Sequence, residues 1–138
     1  MTSTARTHAR PPIIVSETDA QRLSALAIQK EATAPEAAGL LLDELERAQV
    51  RPDHRVPADV VGMNSTVEFV DEAHGQSRTV QLVYPAEADI SAGRISVLTP
   101  IGAGLIGLAA GQSILWPDRD GNKRALKVLR VERAVATA

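Results

Sequence analysis

The spacing of apolar residues changes once along this chain of 138 residues, and that change limits the fold more than any other feature. Ahead of Pro52 the spacing is helical. Leu23, Leu26 and Ala27 share one face, and Ala38, Leu41, Leu42, Leu45 and Ala48 form a matching stripe. From Thr66 onward the period is two. Thr66 to Val70, Thr79 to Tyr84 and Ala125 to Val131 each alternate apolar and polar residues, as half-buried strands do. A chain of this length holds one domain, or one domain with a small appendage.

Local signals divide it further. Residues 1–12 are polar, end on two prolines and read as a disordered lead-in. Ser16-Glu17-Thr18-Asp19 has the form of a capping box opening a first helix, and Thr33-Ala34-Pro35-Glu36 has the same form at a second. Glu31 to Pro35 breaks the two, and Pro52 and Pro57 end the region. Two helices of about 15 residues make an antiparallel hairpin over residues 13–52, a short coiled coil with arms ~22 Å long. Such a pair cannot bury enough surface to stand alone, so it must lean on residues 53–133. There the first two strands form a hairpin around Asp71 to Gln76, with His74-Gly75 at the turn. Ile95 to Leu98 and Ser113 to Trp116 are further strands, and Asp118 to Asn122 turns into the last one. Thr99-Pro100 starts a short helix that should run to about Leu108 and close at Gly111. Residues 134–138 are a tail. The expected class is α+β: a mostly antiparallel sheet with one short helix, preceded by the helical hairpin.

Chemistry is hard to find. The motif Gly102-Ala103-Gly104-Leu105-Ile106-Gly107 is a literal G-x-G-x-x-G. A dinucleotide fold needs a crossover to a parallel strand after it, whereas the residues that follow read as a hairpin. Its glycines instead suit close packing, or the close approach of a partner. His8, His54 and His74 fall in the tail, a linker and a turn, without metal-ligand spacing. Glu31 and Glu36 flank the hairpin tip; acidic groups there can chelate a cation, but both obey ordinary capping rules. No nucleophile elbow or phosphate-binding loop is present, there is no cysteine, and neither catalysis nor a cofactor or metal is expected. The net charge of −2 comes from 15 basic and 17 acidic residues mixed along the chain, so no basic stripe points to direct nucleic-acid contact. Phe69, Tyr84 and Trp116 are the only aromatic residues, too few to stack bases. Ile101 to Ala110 is far shorter than the ~20 residues of a membrane span, and a cytoplasmic location is expected.

The second half carries a resemblance. Val67-Glu68-Phe69-Val70-Asp71-Glu72, Gln81-Leu82-Val83-Tyr84, Glu87-Ala88-Asp89-Ile90 and Gly93-Arg94-Ile95-Ser96-Val97 are followed by Thr99-Pro100-Ile101, Leu105-Ile106-Gly107 and Gly111. In this order they resemble the C-terminal domain of bacterial transcript-cleavage (Gre) factors, from about Ala58 to Glu132. With Arg10-Pro11-Pro12-Ile13, Leu42 to Ala48, Met63-Asn64-Ser65, Leu82 to Pro85 and Gly111-Gln112-Ser113, the whole chain resembles the regulator of nucleoside diphosphate kinase family within that superfamily.

The resemblance implies an FKBP-like C-terminal domain and binding to RNA polymerase at the entrance of its secondary channel. In Gre factors the globular domain grips the channel rim, and a long coiled coil carries acidic residues to the active site. Here the arms are much shorter, and Leu108 and Gln112 stand where Gre factors have lysine and aspartate. The expectation is therefore a monomeric regulator, not an enzyme, that docks without supplying cleavage chemistry and competes with Gre-type factors. Thr99, Pro100, Ile101, Leu105, Ile106 and Gly107 are the expected docking residues. Two alternatives stand beside it: a direct protein regulator of nucleoside diphosphate kinase, and a peptidyl-prolyl isomerase, for which three scattered aromatics make a poor pocket.

Overall fold

The computed structural model describes residues 11–72, 75–117 and 123–133. The expected N-terminal disorder and His8, the turn residue His74, the Asp118 to Asn122 turn and the C-terminal tail all fall wholly or mostly outside them.

Helix α1 spans Glu17–Lys30 and opens as expected, with the Ser16 hydroxyl accepting the Asp19 N–H at 3.0 Å. Helix α2 spans Pro35–Arg47 and does not open as expected. Its N-cap is Ala34, without a side-chain bond, while Thr33 sits in the turn and donates its N–H to Lys30. Proline in the first turn has no N–H to satisfy, so the missing cap leaves one orphan fewer. Leu23 and Ala27 on α1 and Ala38 and Leu41 on α2 are buried.

Two strands were not legible in the apolar pattern. β1 (Ile14–Ser16) and β2 (Gln49–Arg51) pair in parallel, Val15 opposite Val50, at the base of the hairpin. Three residues are too few for a period to show; the pairing exists because the hairpin brings its two ends together.

The main sheet has five strands: β3 (Thr66–Asp71), β4 (Gln76–Val83), β5 (Arg94–Ser96), β6 (Ser113–Pro117) and β7 (Lys123–Glu132). Their order is β5-β4-β3-β7-β6. All neighbours are antiparallel except β4 and β5, which are parallel. Val67, Phe69, Val80, Leu82, Ile114, Leu126 and Val128 are buried in the core. A bulge opposite Glu68 and Phe69 leaves Leu129 as the extra residue of β7.

Helix α3 spans Pro100–Leu105, shorter than the run to Leu108 expected from sequence. Ile106 leaves the helix at ψ 130°, and Gly107, at φ +82°, reverses the chain ahead of Gly111. The core is continuous: Leu23, Ala27, Ala38 and Leu41 belong to the same buried cluster as Phe69, Leu82, Leu105 and Ile106. The hairpin is thus seated on the sheet domain, with α2 packed against α3.

Candidate docking site

The site expected from sequence is built around the start of α3. Ser96 ends β5, and its carbonyl accepts from the Thr99 N–H at 3.2 Å and the Thr99 hydroxyl at 2.7 Å. The same hydroxyl accepts the Gly102 N–H at 3.0 Å, so Thr99 caps the helix and ties it to the strand. Pro100 occupies the first turn. Gly102 is then pressed against the strand end, where an added Cβ would stand 2.1 Å from the Ser96 oxygen.

The six residues divide into two groups. Thr99, Pro100 and Ile101 are half-buried and form a shoulder at the end of β5, where Ile101 also packs against the core. Leu105 and Ile106 have no exposed surface, and Gly107 is buried as well. Gly107 donates to Val61 at 2.9 Å and accepts from Ile14 at 3.1 Å, against the side chain of Ile13. The close approach that its glycine permits is made by the chain itself, so any surface contact falls to Thr99, Pro100 and Ile101.

Glu31 and Glu36 are exposed at the hairpin tip. Among the described residues no group of three or more His, Cys, Asp or Glu side chains is placed to hold a metal ion.

Sequence reading missed a polar clasp at the hairpin's base. Thr18 donates its N–H to Asp53 at 3.1 Å and its hydroxyl to the other oxygen of the same carboxylate. Those two bonds hold the Asp53 carboxyl below its ordinary value. Asp19 does not complete its capping box; its carboxylate accepts the Met63 N–H at 3.1 Å, across to the sheet domain. Tyr84 lies beside Asp19 and Arg22, and burial, with the negative charge of Asp19, pushes its phenol up. Ser16, Thr18, Asp19, Asp53, Gly62, Met63, Ser65 and Arg133 line a polar cleft at this junction. The contacts link residues more than thirty positions apart, so no local motif signals them.

This arrangement of a helical hairpin, a five-stranded α+β domain and a capped helix at the strand end is that of a Gre-type transcription factor. It is similar to a prokaryotic transcription elongation factor GreA/GreB from Nitrosomonas europaea, with 37% identity and a TM-score of 0.70 over 88% of this chain and 99% of that one. Residues 56–133 match the transcription elongation factor GreA/GreB C-terminal family, and residues 11–50 match the Rnk N-terminus family. The chain is 41% identical over 123 residues to the regulator of nucleoside diphosphate kinase of Escherichia coli K12, covering 89% of this chain and 90% of that protein. It is 37% identical over 92 residues to the transcription elongation factor GreA of a Chelativorans species and 43% over 83 residues to that of Rhodospirillum rubrum. It spans only 58% and 53% of those two factors. The chain belongs to the regulator of nucleoside diphosphate kinase family, within the GreA/GreB superfamily. These relatives are named as regulators and transcription factors. Among the described residues no helix is long and apolar enough to cross a membrane.

Proposed function

We propose that this protein docks on RNA polymerase at the secondary-channel entrance through the shoulder of Thr99, Pro100 and Ile101, supplies no transcript-cleavage chemistry, and competes there with Gre-type factors. One observation carries the reading: a Gre-type domain is joined to a hairpin whose helices have only 14 and 13 residues. At 1.5 Å per residue those arms extend ~20 Å. Part of that length is used up against α3 and the sheet, because Leu23, Ala27, Ala38 and Leu41 are core residues. The exposed Glu31 and Glu36 therefore stop short of a catalytic metal that Gre factors reach with a longer coiled coil.

The test is retention of purified polymerase core on the immobilised protein, with and without excess Gre factor, alongside a transcript-cleavage assay on a stalled complex. Retention that Gre displaces, without stimulated cleavage, is the expected outcome. Stimulated cleavage, or retention that Gre leaves unchanged, would overturn the reading. Ile101→Ser should weaken retention about tenfold, the loss of ~1.4 kcal/mol at one apolar contact.

A second reading, direct regulation of nucleoside diphosphate kinase, is favoured by the name of the Escherichia coli relative. Copurification with the kinase in the absence of polymerase would put it first.

A further inference from the structure

We propose that the turn between β4 and β5 is a second anchor for the same polymerase partner, with Ile90 as an apolar plug entering a pocket rimmed by basic side chains. The inference rests on the docking reading above. Residues 85–92 read Pro85-Ala86-Glu87-Ala88-Asp89-Ile90-Ser91-Ala92, and Ala86, Ala88, Ile90 and Ala92 are all exposed. Ile90 is 79% exposed, ahead of Ile28 at 62% and Val50 at 49%. A lone apolar side chain in water is ordinary on a protein surface, so its exposure would carry little by itself.

The backbone beneath it carries more. Asp89 and Arg94 exchange both main-chain hydrogen bonds at 2.9 Å. Ala92 and Gly93 donate to the carbonyls of Asp89 and Ile90 at 3.0 Å. The Asp89 carboxylate accepts the Ser91 N–H at 3.1 Å and the Ser91 hydroxyl at 2.6 Å, and Gly93 takes the reversal at φ +76°. Fixing a residue's backbone costs on the order of 1 kcal/mol, which a free loop would pay again on binding. Here the turn is ordered beforehand, with Ile90 on its exposed side. A preordered apolar side chain loses little entropy when it enters a pocket.

Charge and position indicate the occupant. Glu87 and Asp89 are exposed acids with no lysine or arginine from Tyr84 through Gly93, and Arg94, also exposed, offsets part of that charge at Asp89. A pocket for Ile90 is therefore best matched by a rim of lysine or arginine. The turn feeds β5 at Arg94, and β5 leads to the shoulder at Thr99. The two anchors flank one three-residue edge strand, which is about 10 Å long at 3.3 Å per residue. That spacing fits within a single protein interface of roughly 800 Å² per partner.

The test compares retention of purified polymerase core on the full-length protein, Ile90→Ser, Glu87→Lys and Ile101→Ser. Ile90→Ser should keep the wild-type circular dichroism and urea midpoint, yet weaken retention about tenfold. Glu87→Lys should weaken retention at low salt and converge on wild type at high salt, because exposed charges are screened. If wild type is retained and Ile90→Ser and Glu87→Lys match it, the second anchor is overturned while the Thr99 shoulder stands. If wild type is not retained, both readings fall.

Discussion

At the scale of single residues, two glycines show how the same substitution changes sign with its surroundings. A methyl group on Gly102 would meet the backbone of Ser96 at 2.1 Å and of Val97 at 2.9 Å. Neither neighbour can swing aside, so Gly102→Ala should destabilise the fold by about 3 kcal/mol. Gly39 lies within α2 with nothing within 4 Å of an added Cβ. Gly39→Ala should stabilise by up to about 1 kcal/mol through helix propensity, and urea unfolding of the two variants measures both. Asp53 makes a pH-dependent contribution. Its folded pKa lies below the ordinary 3.8 because Thr18 donates to the ionised carboxylate. The contribution is present above the unfolded pKa and is lost as the pH falls through the lower, folded one. Asp53→Asn should therefore show a smaller drop in urea midpoint than wild type between about pH 5 and pH 3.

Among the elements, α2 contains a charge in an apolar place. Glu44 is wholly buried, and one of its oxygens accepts from Arg47 Nη2 at 2.7 Å and Nε at 3.1 Å. Arg47 also donates to the Pro11 carbonyl at 2.6 Å, which ties a residue expected in the disordered lead-in to the end of the helix. Arg47→Met removes these bonds and should cost about 2 kcal/mol. Combining it with Glu44→Leu should recover most of the loss, since a buried ion pair is often no better than an apolar pair of similar volume. A double-mutant cycle in urea gives the coupling directly. The apolar stripe read from the sequence, Ala38, Leu41, Leu42, Leu45 and Ala48, leaves Glu44 out. Its burial depends on where α2 lies against the rest of the fold.

For the whole molecule, one core implies one transition. The hairpin contributes Leu23, Ala27, Ala38 and Leu41 to the cluster that holds Phe69, Leu82 and Leu105. Hairpin and sheet should unfold together, with coincident midpoints by circular dichroism and by amide exchange at α1 and β7; a hairpin that opens at lower free energy would contradict this. The sequence alone was enough for the α+β class, the two helices, the main strands and the Thr99 cap. Period, capping residues and prolines are local properties, and they act on the same few residues that carry them. Tertiary structure decided the rest. The parallel pairing of β1 with β2 and the Asp53 and Asp19 clasp join residues far apart in the chain, which no local pattern encodes. The division of the proposed docking segment into a half-buried Thr99, Pro100 and Ile101 and a buried Leu105, Ile106 and Gly107 depends on what packs over α3. Aliphatic residues at that spacing look alike in sequence whether they face a partner or the core, and it is the seating of the hairpin that separates them here.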